Sequence, residues 1–95
     1  MGQVSSVLRR GVGRYLHWCP ACQELHPLPD SWTFDGDLEQ PTFSPSFKHS
    51  GGRSQPEWCC HYTLVKGMLH FAQDCSHAFK GQVIPLPPLP EEHRD

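Results

Sequence analysis

Cysteine and histidine carry the chemistry available to this 95-residue chain, which holds five of the first and seven of the second. Cys19-Pro20-Ala21-Cys22 is a C-x-x-C knuckle, and Cys59-Cys60-His61 and Cys75-Ser76-His77 follow far downstream. Two thiols on a tight turn, joined by two brought from a distant hairpin, are how small domains hold zinc tetrahedrally. An odd cysteine count without a secretion signal argues against a disulfide framework. The spacing therefore predicts a structural zinc held by Cys19, Cys22, Cys60 and Cys75, with His26 or His77 able to replace one thiol. Cys59 is the spare.

The element that must position the downstream ligands is a hairpin. Apolar runs over 60–65 and 68–74 flank Lys66-Gly67, a pair suited to a two-residue turn. With that turn, 65 faces 68, 64 faces 69 and 61 faces 72. Side chains alternate along each strand, so Tyr62, Leu64, Leu69 and Phe71 share the core face. Cys60 and Cys75 belong to that face, at the open end. His61, His70 and Asp74 belong to the other, where His61 and Asp74 are diagonal neighbours within reach of a carboxylate–imidazole contact. A slip of one residue would undo the assignment.

Other elements are short. Tyr15 to Trp18 reads as a strand into the knuckle, Leu25 to Pro29 as a turn-rich connection, and Trp32 to Phe34 as a second strand. Thr42 to Lys48 alternates: Phe43, Pro45 and Phe47 face one way, Thr42, Ser44, Ser46 and Lys48 the other. Pro45 cannot donate to a ladder, so this strand should lie at an edge or be bulged. Residues 49–57 read as a flexible loop. His17, His49 and His93 read as solvated. No window supports a helix of three turns, and Trp18 to Cys22 lacks the helix a W-C-x-x-C redox site needs. The fold class is small all-β, or β with one short helix, stapled by zinc. Residues 15–87 form the single domain, after a flexible start over 1–14 and before a proline-rich, charged tail over 88–95.

Composition sets the outer limits. At this length the core alone is marginal, and ten Pro and eight Gly thin it further, so a staple is needed. Eight Lys and Arg against ten Asp and Glu leave no positive field for nucleic acid. No apolar run reaches the roughly 18 residues of a membrane span. The first 14 residues lack an apolar signal core and a cleavage site, which points to the cytoplasm.

Cys-Pro-Ala-Cys with His26, Trp32-Thr33-Phe34-Asp35-Gly36-Asp37, Pro41-Thr42-Phe43-Ser44-Pro45-Ser46, Cys60-His61, and Asp74-Cys75-Ser76-His77 with Gly81-Gln82 together resemble one family. It is a set of small bacterial and phage zinc-binding domains, with members beside bacterial ubiquitin-like conjugation genes regarded as serine peptidases. The resemblance covers about residues 15–87. It implies that Ser46 is a nucleophile, His61 its base and Asp74 the carboxylate that orients His61, acting on a protein substrate such as a ubiquitin-like precursor or conjugate. Ser44, on the same strand face, is the runner-up nucleophile. The sequence departs from the family pattern at Asp35, where Asn is common, at the doubled Cys59-Cys60, and in its proline-rich end. A second reading is a noncatalytic zinc module that binds proteins through exposed Trp32 and Trp58. A third is a catalytic zinc with an open site beside His26 or His77.

Overall fold

The computed structural model describes residues 2–51, 55 and 57–94. Two antiparallel sheets make up the architecture, with no α-helix among the described residues. The first has the order β1-β2-β3, from β1 (Leu8–Gly11), β2 (Arg14–Cys19) and β3 (Glu24–Pro29). The second has the order β4-β5-β6-β7-β8. Its strands are β4 (Thr33–Phe34), β5 (Phe43–Ser50), β6 (Cys59–Val65), β7 (Met68–Phe71) and β8 (Val83–Pro85). A 3-10 turn spans Glu91–His93. Among the described residues, no helix is long and apolar enough to cross a membrane.

The hairpin register is the one the sequence predicts. Val65 pairs with Met68, Leu64 with Leu69 and Tyr62 with Phe71. Lys66 and Gly67 both take positive φ, 49° and 75°, as a type I′ turn requires. Gly67 also needs its missing side chain, because a Cβ there would come within 3.1 Å of Gln40 Cα. Cys60, Tyr62, Leu64, Leu69 and Phe71 are all buried, and β6 alternates without a break. Hydrophobic burial against β2 and β3 fixes this face inward, which leaves His61 on the outer one.

The loop that delivers β5 is fixed by two aspartates. Asp35 Oδ1 accepts the N–H groups of Asp37 and Thr42, and Asp37 Oδ1 those of Glu39 and Gln40. These bonds ask only for an acceptor at 35, so Asp serves there as Asn would. Further along, Phe43 stacks on Phe34 with ring centroids 4.4 Å apart.

Several expectations need correction. The start of the chain is not frayed: Leu8 opens β1 and is fully buried, Val7 is buried beside it, and Ser5 Oγ accepts the N–H groups of both. Arg9 and Arg10 disguise this strand as polar, yet Arg10 makes a bidentate ion pair with Asp30 next to β3. The stretch 25–29 is strand β3 rather than a turn-rich link. His26 and Leu28 point inward, and Pro27 and Pro29 are tolerated because β3 is the sheet's edge. The tail packs as well: Leu89 is fully buried and donates its N–H to Ser6 O. Finally, His17 is fully buried rather than solvated. Of the loop expected over 49–57, His49 and Ser50 extend β5, while residues 52–54 and 56 lie outside the described residues.

Candidate active site and metal centre

β5 is irregular where the chemistry begins. Phe43 pairs with Leu64 and Phe47 with Tyr62, so three residues on β5 oppose the single Thr63 on β6. This bulge spans Ser44, Pro45 and Ser46, the place where proline denies the ladder a donor. Beyond it the register recovers and Lys48 pairs with His61. Ser46, two residues before Lys48, leans diagonally over the same imidazole.

The result is a continuous row of side chains. Ser46 Oγ lies 3.1 Å from His61 Nε2, and His61 Nδ1 lies 3.0 and 3.2 Å from the two oxygens of Asp74. A carboxylate can only accept, so Nδ1–H donates to Asp74 and the Nε2 lone pair faces the Ser46 hydroxyl. Ser44 is exposed and pairs with Thr33 on β4, on the far side of the bulge from Lys48. Lys48 Nζ stands 3.6 Å from Asp74 Oδ2. The hydrogen bond from His61 holds the Asp74 carboxyl below the usual carboxylate range, outweighing desolvation, and the charges of His61 and Lys48 add to it.

Asp74 lies beyond β7, and its segment is laced back onto β6. Ala72 N–H donates to His61 O, Ser76 N–H to Cys59 O, and Cys59 N–H to Ser76 Oγ. Cys75 joins this lacing. Its Sγ accepts the His61 N–H at 3.3 Å and donates to His61 O at 3.1 Å. Burial pushes its thiol pKa up. The main chain of His61 is thus gripped on both sides, next to the residue that orients its ring.

On the inner face, Cys19, Cys22 and Cys60 bring their sulfurs within 4.8 Å of one another, all three buried. Cys75 is absent from this group. Of the four thiols expected as ligands the structure unites three. Trp58 Nε1–H donates to Cys22 Sγ at 3.3 Å. Trp32 and Trp58, read from sequence as an exposed contact surface, are half-buried against the core. The three thiols cannot all ionise side by side without a counter-charge. Hydrogen bonding to Cys22 pushes Cys19 up to about 12, and hydrogen bonding to Cys19 and Cys22 pushes Cys60 up. Bonds from Cys19 and Cys60 draw Cys22 down. A divalent cation removes that conflict, because each sulfur can then ionise against it. The residues fit a thiophilic metal.

Two histidines border the cluster. His26 and His77 are both buried, and the Nε2 of each has no hydrogen-bond partner. Cys22, Glu24 and His26 also bring their donor atoms within 4.8 Å of one another. Behind His26, Tyr62 OH is 3.0 Å from His26 Nδ1 and hydrogen-bonded to His17 Nε2.

The family model of the bacterial ubiquitination-like system serine protease (BubE) matches residues 2–72. The chain belongs to this family. No curated protein and no solved structure matches it. The BubE match contains Ser46, His61 and the three clustered cysteines and stops two residues before Asp74. It also takes in β1 and β3, two of the strands that sequence reading missed. The Tyr62 link between His17 and His26 was missed too. Its only signal was Tyr62 on the same inward parity as Cys60, with a hydroxyl that burial obliges to find a partner.

Proposed function

We propose that this BubE-family chain is a serine protease that cleaves at the tail of a ubiquitin-like protein, with Ser46 as nucleophile, His61 as general base and Asp74 as its orienting carboxylate. The observation that carries this is the Ser46 Oγ to His61 Nε2 distance of 3.1 Å, continued through Nδ1 to Asp74. Ser46 Oγ attacks the scissile carbonyl carbon while its proton passes to His61 Nε2. The tetrahedral intermediate collapses as Nε2–H protonates the leaving amine, which leaves an ester on Ser46. Water, deprotonated by the same Nε2, then attacks the ester, and its collapse returns the proton to Ser46 Oγ. Asp74 holds the productive tautomer throughout and stabilises the imidazolium.

Ser46, Lys48 and Asp74 are exposed on an open strand surface, which suits an extended protein terminus better than a small molecule. The metal is proposed to be zinc on Cys19, Cys22 and Cys60, where it supplies folding energy by clamping the knuckle to β6. Cys60 and His61 face opposite sides of β6, so the zinc is structural and stands apart from the reacting atoms. The chain works in the cytoplasm, where reducing conditions keep its cysteines as thiols.

The test is cleavage of a ubiquitin-like precursor carrying a C-terminal extension. Wild type should release the extension. Ser46→Ala should bind zinc and stay folded without cleaving, and full activity in that variant would defeat the proposal.

A further inference from the structure

The protons on three buried rings decide which group completes the metal centre. His17 is fully buried and has no carboxylate partner among the described residues, so its ring is neutral and carries one proton. His17 Nδ1 faces Trp18 O at 3.2 Å, and a carbonyl only accepts, so the proton is on Nδ1. His17 Nε2 is then a lone pair and accepts the Tyr62 hydroxyl proton. Having donated its only proton, Tyr62 can only accept from His26, so His26 carries its proton on Nδ1. His26 Nε2 is left as a bare lone pair. It is buried, without a hydrogen-bond partner among the described residues, at the edge of the thiol cluster. Phe47 stacks on the His26 ring with centroids 4.4 Å apart and resists its turning.

The competitors fail by the same accounting. His77 Nδ1 accepts the Phe79 N–H at 3.2 Å, so the proton of neutral His77 is on Nε2, which cannot ligate. Cys75 spends its sulfur on both main-chain groups of His61. Glu24 is half-exposed, and its Oε1 lies nearer His49 Nε2, at 3.3 Å, than His26 Nε2, at 3.7 Å.

We infer that His26 Nε2 is the fourth ligand of a Cys19, Cys22, Cys60, His26 centre, and that Tyr62 and His17 are positioning residues that fix its tautomer. A metal-ligating histidine is usually held this way through its other nitrogen, and loss of such a partner costs about 10–100-fold in affinity. The inference rests on the metal-centre reading above.

Cobalt(II)-loaded full-length protein tests it through ligand-field and sulfur-to-cobalt bands. Wild type should give tetrahedral bands of three thiolates and one nitrogen. His26→Cys should shift the ligand-field bands to lower energy and raise the charge-transfer intensity by about one third, as the thiolates go from three to four. Cys75→Ser, His77→Gln and Glu24→Gln should leave the bands in place. Tyr62→Phe should keep them but lower zinc affinity about 10–100-fold in chelator competition. Wild type that takes up neither cobalt nor zinc would sink the metal centre itself. Uptake with bands that respond to Cys75→Ser or His77→Gln and ignore His26→Cys would sink only this ligand assignment. Unchanged affinity in Tyr62→Phe would overturn the positioning role.

Discussion

Cys60 and His61 are neighbours in the chain that work on opposite faces of β6. The thiol of Cys60 joins Cys19 and Cys22 in the buried cluster, while the ring of His61 lies between Ser46 and Asp74 outside. The strand's two-residue period separates the two sites by the thickness of a sheet and also couples them. Anything that shifts β6 by one residue exchanges their roles.

Ser46→Ala should lower turnover by about a millionfold, to the limit of detection, and His61→Ala by a similar factor. Ser44→Ala should stay active. Cleavage of a ubiquitin-like precursor, followed by gel or mass spectrometry, reads all three.

Asp74→Asn should lower turnover by about 10⁴-fold, because the amide no longer enforces the His61 tautomer. It should also change acid stability. The folded carboxyl is held below its unfolded value, so the unfolded chain takes up the proton first as pH falls. The stabilisation from Asp74 is therefore present above its unfolded pKa of about 3.9 and fades as pH falls through the lower folded value. Thermal melts across that range should show a steeper acid loss in wild type than in Asp74→Asn.

Removal of the metal should unfold the domain. A structural zinc contributes on the order of 10 kcal/mol, which a core this thin lacks. Circular dichroism during chelation should show loss of the fold, and Cys60→Ser should mimic it. Cys59→Ser should retain metal, since Cys59 is only half-buried and outside the cluster.

Cys75→Ala should leave zinc in place but strand the His61 N–H, which costs about 1–3 kcal/mol. Denaturant melts of the zinc-loaded protein measure this. Zinc loss in the variant would return Cys75 to the ligand set.

Leu8→Ala should cost about 2–5 kcal/mol, a core penalty that a frayed terminus would not produce. The same denaturant melts read it.

The site was more legible in the sequence than the sheet around it. Two-residue periodicity and a positive-φ turn at Lys66-Gly67 fixed the hairpin, and from it followed the burial of Cys60 and the meeting of His61 with Asp74. Parity put Cys75 on the core face and it is buried there, but past the last paired residue of β7 its sulfur turns to the His61 main chain and stands outside the cluster of Cys19, Cys22 and Cys60. β1 and β3 stayed hidden for local reasons. Arg9 and Arg10 interrupt the apolar signal of one, and Pro27 and Pro29 imitate a loop in the other. Both are settled by pairing to β2, a tertiary matter that local composition does not carry. The bulge that tilts Ser46 toward His61 was foreshadowed by Pro45, although its two-residue size was not.

The central claim is that Ser46 is an activated nucleophile. The most direct measurement treats the folded, zinc-loaded protein with a fluorophosphonate and maps the adduct by mass spectrometry. The account predicts one label, on Ser46, which disappears in His61→Ala although the serine remains. A label on another residue, or none on a preparation that cleaves its substrate, would contradict it.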